Sequence, residues 1–133
     1  MKSKILLILV LLCTTVFSSC EQVEKSSFNY PMESLYGQWE GTHFQLDGTW
    51  IDITQEPYTE LAFSIQFKAD GSCVCRGTFG DNSGTYKVKG NTVTIYVMGQ
   101  EYATYNMKSL TATQMEATVT LGESVNIKAR KKQ

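Results

Sequence analysis

The chain has 133 residues, a formal net charge of -1 and a 42% apolar share, enough for one domain with a packed core. Its only dense cationic stretch is the C-terminal run Lys128-Ala129-Arg130-Lys131-Lys132. Phosphate binding needs clustered cations on a folded face, so nucleic acid is excluded as a partner, and the run reads as a solvated strand end.

The N-terminus reads MKSKILLILVLLCTTVFSSC. Lys2 and Lys4 form a positive start, and Ile5 to Leu12 is unbroken apolar sequence. A run of about eight residues is too short to span a bilayer and fits the apolar part of a signal peptide. Ser18 and Ser19 then precede Cys20. This arrangement resembles the lipobox of bacterial lipoproteins. The resemblance implies a signal peptide over residues 1–19, loss of Cys13 with it, and lipid on Cys20. It also implies a membrane partner through that lipid, and a place in the cell envelope, at the outer membrane of a Gram-negative bacterium on its periplasmic or surface face. Each buried CH₂ of an acyl chain is worth about 0.8 kcal/mol, so two chains hold firmly. The alternative is a plain secretory signal, which would leave a bare thiol in an oxidising compartment. Residues 20–34 form the lipidated cysteine and a linker. Within them Glu21 to Tyr30 is polar and without period, and reads as a flexible tether.

Residues 35–133 read as strands. Leu61, Phe63, Ile65 and Phe67 alternate with polar or small neighbours. So do Val93, Ile95 and Val97; Met115, Ala117, Val119 and Leu121; and Val125, Ile127 and Ala129. Period two with one apolar face marks antiparallel strands over a single core. Turn pairs such as Asp47-Gly48, Asp70-Gly71, Gly90-Asn91 and Gly99-Gln100 separate them. The pattern predicts strands near 37–46, 49–54, 59–69, 72–79, 84–89, 92–98, 101–108, 113–120 and 124–131. Met32 to Tyr36 forms one helical turn that plugs a barrel end. The fold class is all-β: an up-and-down meander barrel of eight or nine short strands, closed because closure removes exposed edges.

Gly37-Gln38-Trp39 is similar to the G-x-W of the lipocalins' first strand. With Phe67-Lys68-Ala69-Asp70-Gly71, Gly84-Thr85-Tyr86 and Gly90-Asn91, it resembles the lipocalin-like domain of small bacterial lipoproteins. The resemblance implies a structural barrel floor in which Arg130 packs its guanidinium over Trp39.

Cys73 and Cys75 share one strand face. A two-residue loop at Asp70-Gly71 would pair Phe67 with Val74 and turn both thiols outward. A three-residue loop, Ala69 to Gly71, pairs Phe67 with Cys73 and turns them inward, where they escape oxidation. Buried side by side, they serve as small core hydrophobes. The lesser alternative is a soft-metal site for Cu(I), completed by Met98, Met107 or Met115 and by His43. An extended strand holds the two Cα atoms near 7 Å apart, too far for a disulfide.

His43, the only histidine, has no nucleophile beside it in a recognisable motif. Asp47, Asp52, Glu56 and Glu60 match no calcium loop and read as a solvated segment. Trp50 and Tyr58 would frame a ligand mouth if they stand at the open barrel end. No catalytic residue and no cofactor is expected, and the chain is read as a non-enzymatic binding module. Its partner is a small apolar molecule held inside the barrel. A filled interior would point instead to a pocketless structural or protein-interaction accessory of the envelope.

Overall fold

The structure is a computed structural model that describes residues 27–133. The expected signal peptide, Cys13 and Cys20 lie outside the described residues. The first element is a helical turn, α1 (Met32–Leu35). The strands follow as β1 (Gly37–Leu46), β2 (Thr49–Asp52), β3 (Phe63–Phe67), β4 (Ser72–Gly77) and β5 (Asn82–Lys89). They continue with β6 (Thr92–Val97), β7 (Gln100–Leu110), β8 (Gln114–Leu121) and β9 (Glu123–Lys131).

Each strand pairs antiparallel with its neighbour in the order β2-β1-β3-β4-β5-β6-β7-β8-β9, and β1 also pairs with β9. The result is a closed eight-stranded barrel with β2 as an extra strand. β2 lies along the distal part of β1, from His43 to Leu46, after β3 has left that edge.

The strand expected over 59–69 starts only at Phe63, because Thr59–Leu61 coils into a 3-10 turn. β2 stops at Asp52, where the carboxylate accepts from both the N–H and the hydroxyl of Thr54, 2.8 and 2.6 Å away. This local turn takes the chain off the sheet.

The β3–β4 hairpin has the three-residue loop. Phe67 faces Cys73, Lys68 N–H donates to Ser72 at 2.9 Å, and Gly71 takes φ 92°. A glycine is required there because that backbone conformation crowds any Cβ. Cys73 and Cys75 are therefore inside and buried.

In β1 the register slips by one residue between Gly41 and His43. The bulge lets Trp39 and Phe44, an odd number apart, both face the core, and it turns His43 outward. Gly41 faces inward against an aromatic ring. A Cβ there would lie 2.2 Å from the Phe63 ring.

The barrel has two unlike ends. The base carries the turns 68–71, 90–91 and 111–113, the start of β1 and the end of β9. The rim carries the turns 47–48, 78–81, 98–99 and Gly122. The chain reaches the base already docked. Phe28 bridges Gly90 in parallel and is buried, and Gly90 N–H donates to Ser27 at 2.7 Å. The flexible stretch expected through Tyr30 thus does not extend over residues 27–30. The Phe28 and Tyr30 rings, 5.5 Å apart, have apolar surface to bury, and the sheet end at Gly90 offers backbone groups to pair with.

Candidate functional site

The barrel floor is built around Trp39, which is fully buried. Its indole N–H donates to the Leu35 carbonyl at 2.9 Å, fastening α1 beneath the strands. The cation over the indole is Lys131, with Nζ 5.1 Å from the ring centroid. It is not Arg130. Trp39 and Lys131 are register partners, whereas Arg130 pairs with Glu40 and shares its outward side. Arg130 meets the Glu40 carboxylate there at 3.6 Å, in solvent. Burial lowers the Lys131 pKa, and Nζ also donates to the Glu33 carbonyl at 3.3 Å.

Above the floor the interior is occupied by rings. Phe67 meets Tyr86 at 5.0 Å and Tyr105 at 6.2 Å. Phe79 meets Tyr105 at 6.5 Å, Phe63 at 4.8 Å and Phe44 at 5.6 Å. Phe79 comes from the 78–81 rim loop and closes the stack from above, held by the Tyr102 hydroxyl on its carbonyl. Tyr86 donates its hydroxyl to the Lys68 carbonyl at 2.7 Å. Burial raises the phenol pKa of both Tyr86 and Tyr105 well above the ordinary range. The small apolar ligand expected inside would have to displace these rings. Side chains of this bulk are enough to fill an eight-stranded barrel.

Trp50 and Tyr58 do not frame an interior mouth. Trp50 pairs with Gln45, on the outward side of the bulged β1. Its ring lies under Lys128, Nζ 4.4 Å from the centroid, and edge-on to His43 at 6.5 Å. Tyr58 is exposed in the loop between β2 and β3. The bulge at Gly41–His43 fixes which side Trp50 takes.

The outer wall carries a recess of about 500 Å³ lined by His43, Asp52, Glu116, Lys128 and Arg130, with Ser109 and Gln114 nearer the base. His43 Nδ1 is 2.9 Å from the Thr42 hydroxyl. The bonds from Thr54 hold the Asp52 carboxyl below its ordinary pKa of 3.8. A second recess of about 430 Å³ shares Thr54 and Arg130 with the first and continues under the 53–62 loop past Glu40 and Arg76. Together they form a groove with both signs of charge; the first recess is mainly polar and the second, with Ile53, Ala62 and Phe63 in its lining, more apolar. Sequence reasoning did not single it out, since its residues come from distant strands. Its one early signal was the polar face of β9 with Lys128 and Arg130.

Cys73 and Cys75 sit in the aromatic interior as free thiols. Contact with Cys73, together with burial, raises the Cys75 pKa far above the ordinary thiol range. The Cys75 thiol and the Gly84 N–H lower that of Cys73. His43 stands outside the wall and Met98 is 94% exposed on a rim turn, so neither joins them as a ligand. Among the described residues no group of three or more His, Cys, Asp or Glu is placed to hold a metal. Asp47 lies on the rim and Glu56 accepts from Thr59 at 2.7 Å, so the acidic residues of 47–60 do not converge.

A family model described as a lipocalin-like domain matches residues 35–117. No curated protein and no solved structure matches the chain.

Proposed function

The chain belongs to the lipocalin-like domain family, and from that membership we propose that it is a membrane-anchored binding module of the cell envelope that meets its partner on the outside of its barrel. In this reading the signal is cut before Cys20, and lipid on Cys20 holds the protein at the outer membrane of a Gram-negative bacterium. The partner is an envelope protein, and no reaction is catalysed.

The observation that carries the reading is the ring stack from Phe44 to Tyr86, which occupies the space a lipocalin-like barrel would give to a ligand. The family fold supplies a scaffold for binding. Where binding occurs is a property of the site and not of the fold. The groove around His43, Asp52, Lys128 and Arg130 is a concave surface outside the ring stack. Its mixed donors and acceptors suit the polar edge of another protein better than a hydrocarbon.

Two measurements test this. Native mass spectrometry of the chain purified from cell extract is expected to give the bare protein mass. A stoichiometric apolar passenger would restore the interior-ligand reading. A photocrosslinking residue at Gln45, beside Trp50 on the outer wall, is expected to capture one envelope protein in intact cells, while the same residue at rim Met98 captures none. Acylation of Cys20 is read separately, from the mass of the N-terminal peptide.

A further inference from the structure

The two ends of the barrel carry opposite charge. At the base and the wall just above it are Lys68, Lys87, Lys89, Lys108, Arg130, Lys131 and Lys132, facing only Glu33, Glu40, Asp70 and Glu116. The rim turns and the strand ends beside them carry Asp47, Asp81, Glu101 and Glu123 against a single basic residue, Arg76. Lys68, Lys89, Lys108 and Lys132 are exposed, and Lys68 and Lys89 stand beside the base turns. Net charge near neutrality hides this separation completely.

The base is also where the chain arrives. Ser27 is pinned to Gly90, so the sequence preceding it leaves from the cationic end. Cys20 is seven residues before Ser27. Even fully extended, that length reaches only about 25 Å. A lipid on Cys20 would therefore hold the base close to the bilayer. The rim stands roughly 20 Å farther out, given strands of this length and an ordinary barrel tilt. The screening length is about 8 Å at physiological salt, so the base lysines feel a nearby surface charge while the rim carboxylates do not.

We propose that the base of the barrel, through Lys68, Lys89, Lys108 and Lys132, is a docking surface for the anionic headgroups of a phospholipid bilayer. It supplies a second, electrostatic contact beside the acyl anchor and orients the acidic rim and the outer groove away from the membrane. The orienting role rests on the Cys20 reading. The attraction of the base to lipid does not, and it is tested without the anchor.

The nine strands of the described residues all lie after residue 36, so the test uses the chain from residue 20 onward with Cys20→Ser, which carries no lipid. It is expected to cosediment with phosphatidylcholine vesicles containing phosphatidylglycerol, and to be released by salt. It is expected to stay in solution with phosphatidylcholine alone. The variant Lys68→Gln/Lys89→Gln/Lys108→Gln should lose roughly five-fold in vesicle affinity for each lysine removed. The rim variant Asp47→Asn/Glu101→Gln/Glu123→Gln should bind at least as well as the parent. Equal binding to both vesicle types, or a base variant that binds like the parent, overturns the proposal. If the triple variant loses its fold by circular dichroism, the three single variants are read instead. A negative vesicle result with an acylated Cys20 peptide refutes the docking surface and leaves the anchor standing. The reverse pair of results does the opposite.

Discussion

Lys131 and Trp39 face each other across the seam where the last strand meets the first, with the ammonium 5.1 Å from the indole centroid. Closure of the barrel and sealing of its floor are thus accomplished by one pair. Arg130 and Lys131 are neighbours in sequence but differ in consequence. Lys131→Gln is expected to cost about 1 kcal/mol through the lost cation–π contact. Arg130→Gln breaks only an exposed ion pair and should cost about 0.5 kcal/mol or less. Trp39→Ala should cost about 3–5 kcal/mol. Urea unfolding of the three variants ranks them, and an Arg130→Gln effect as large as that of Lys131→Gln would refute the assignment.

Gly41 and Phe63 should behave as a coupled pair. A methyl group at position 41 would strike the Phe63 ring at 2.2 Å. Gly41→Ala is therefore expected to destabilise by about 1–3 kcal/mol, the usual range for overpacking. Most of that loss should return in Gly41→Ala/Phe63→Leu, where the obstructing ring is gone. A double-mutant cycle in denaturant measures the coupling, and additive losses would show that the backbone at Gly41 is the cause instead.

Cys73 and Cys75 should be closed to reagents while the protein is folded. Both are buried, and the Cys75 thiol is held protonated by its neighbour and by burial. Since the thiolate is the reactive form, alkylation by iodoacetamide is expected to track global unfolding across a denaturant series. Rapid labelling of either thiol in native buffer would contradict the inward register of the β3–β4 hairpin.

Alkali should unfold the protein through its tyrosines. Burial raises the Tyr105 and Tyr86 pKa values above the ordinary 10.0. A raised folded-state value means that the folded protein binds more protons than the unfolded chain once pH exceeds 10. Stability is then undiminished below pH 10 and falls as pH rises toward the folded-state values. Spectrophotometric titration should show Tyr86 and Tyr105 ionising together with loss of the circular dichroism signal. Tyr105→Phe should move that transition to higher pH.

Strand periodicity carried most of this architecture. Alternation along Leu61–Phe67 and Val125–Ala129 marks which side chains face the core, and the need to bury two thiols selects the three-residue loop at Ala69–Gly71. Features that depend on contacts between distant segments were harder to read. The bulge at Gly41–His43 inverts the parity of β1, and nothing local announces it, so the outward placement of His43 and Trp50 was hidden. Carried two residues further, the alternation of β9 puts Lys131 inside and Arg130 outside. The resemblance to the family's Trp–Arg contact pointed the other way. Phe28 and Phe79 lie in segments without period, and each becomes a plug only because a barrel end is there to receive it. The outer groove draws on β1, β2, β3, β4, β7, β8 and β9 and has no linear signature.

Both the entry of the chain at Phe28 and its exit after Lys131 are at the base. The four rim turns therefore lie at the opposite end from both ends of the described residues. Three of them turn on a glycine, Gly48, Gly99 or Gly122, around which a Cβ would meet no atom within 4 Å. Loops lengthened at those points would not disturb the floor, the ring stack or the linker. The rim is the part of this scaffold on which new recognition sequences can be inserted at least cost to folding, and where relatives are expected to differ most in length.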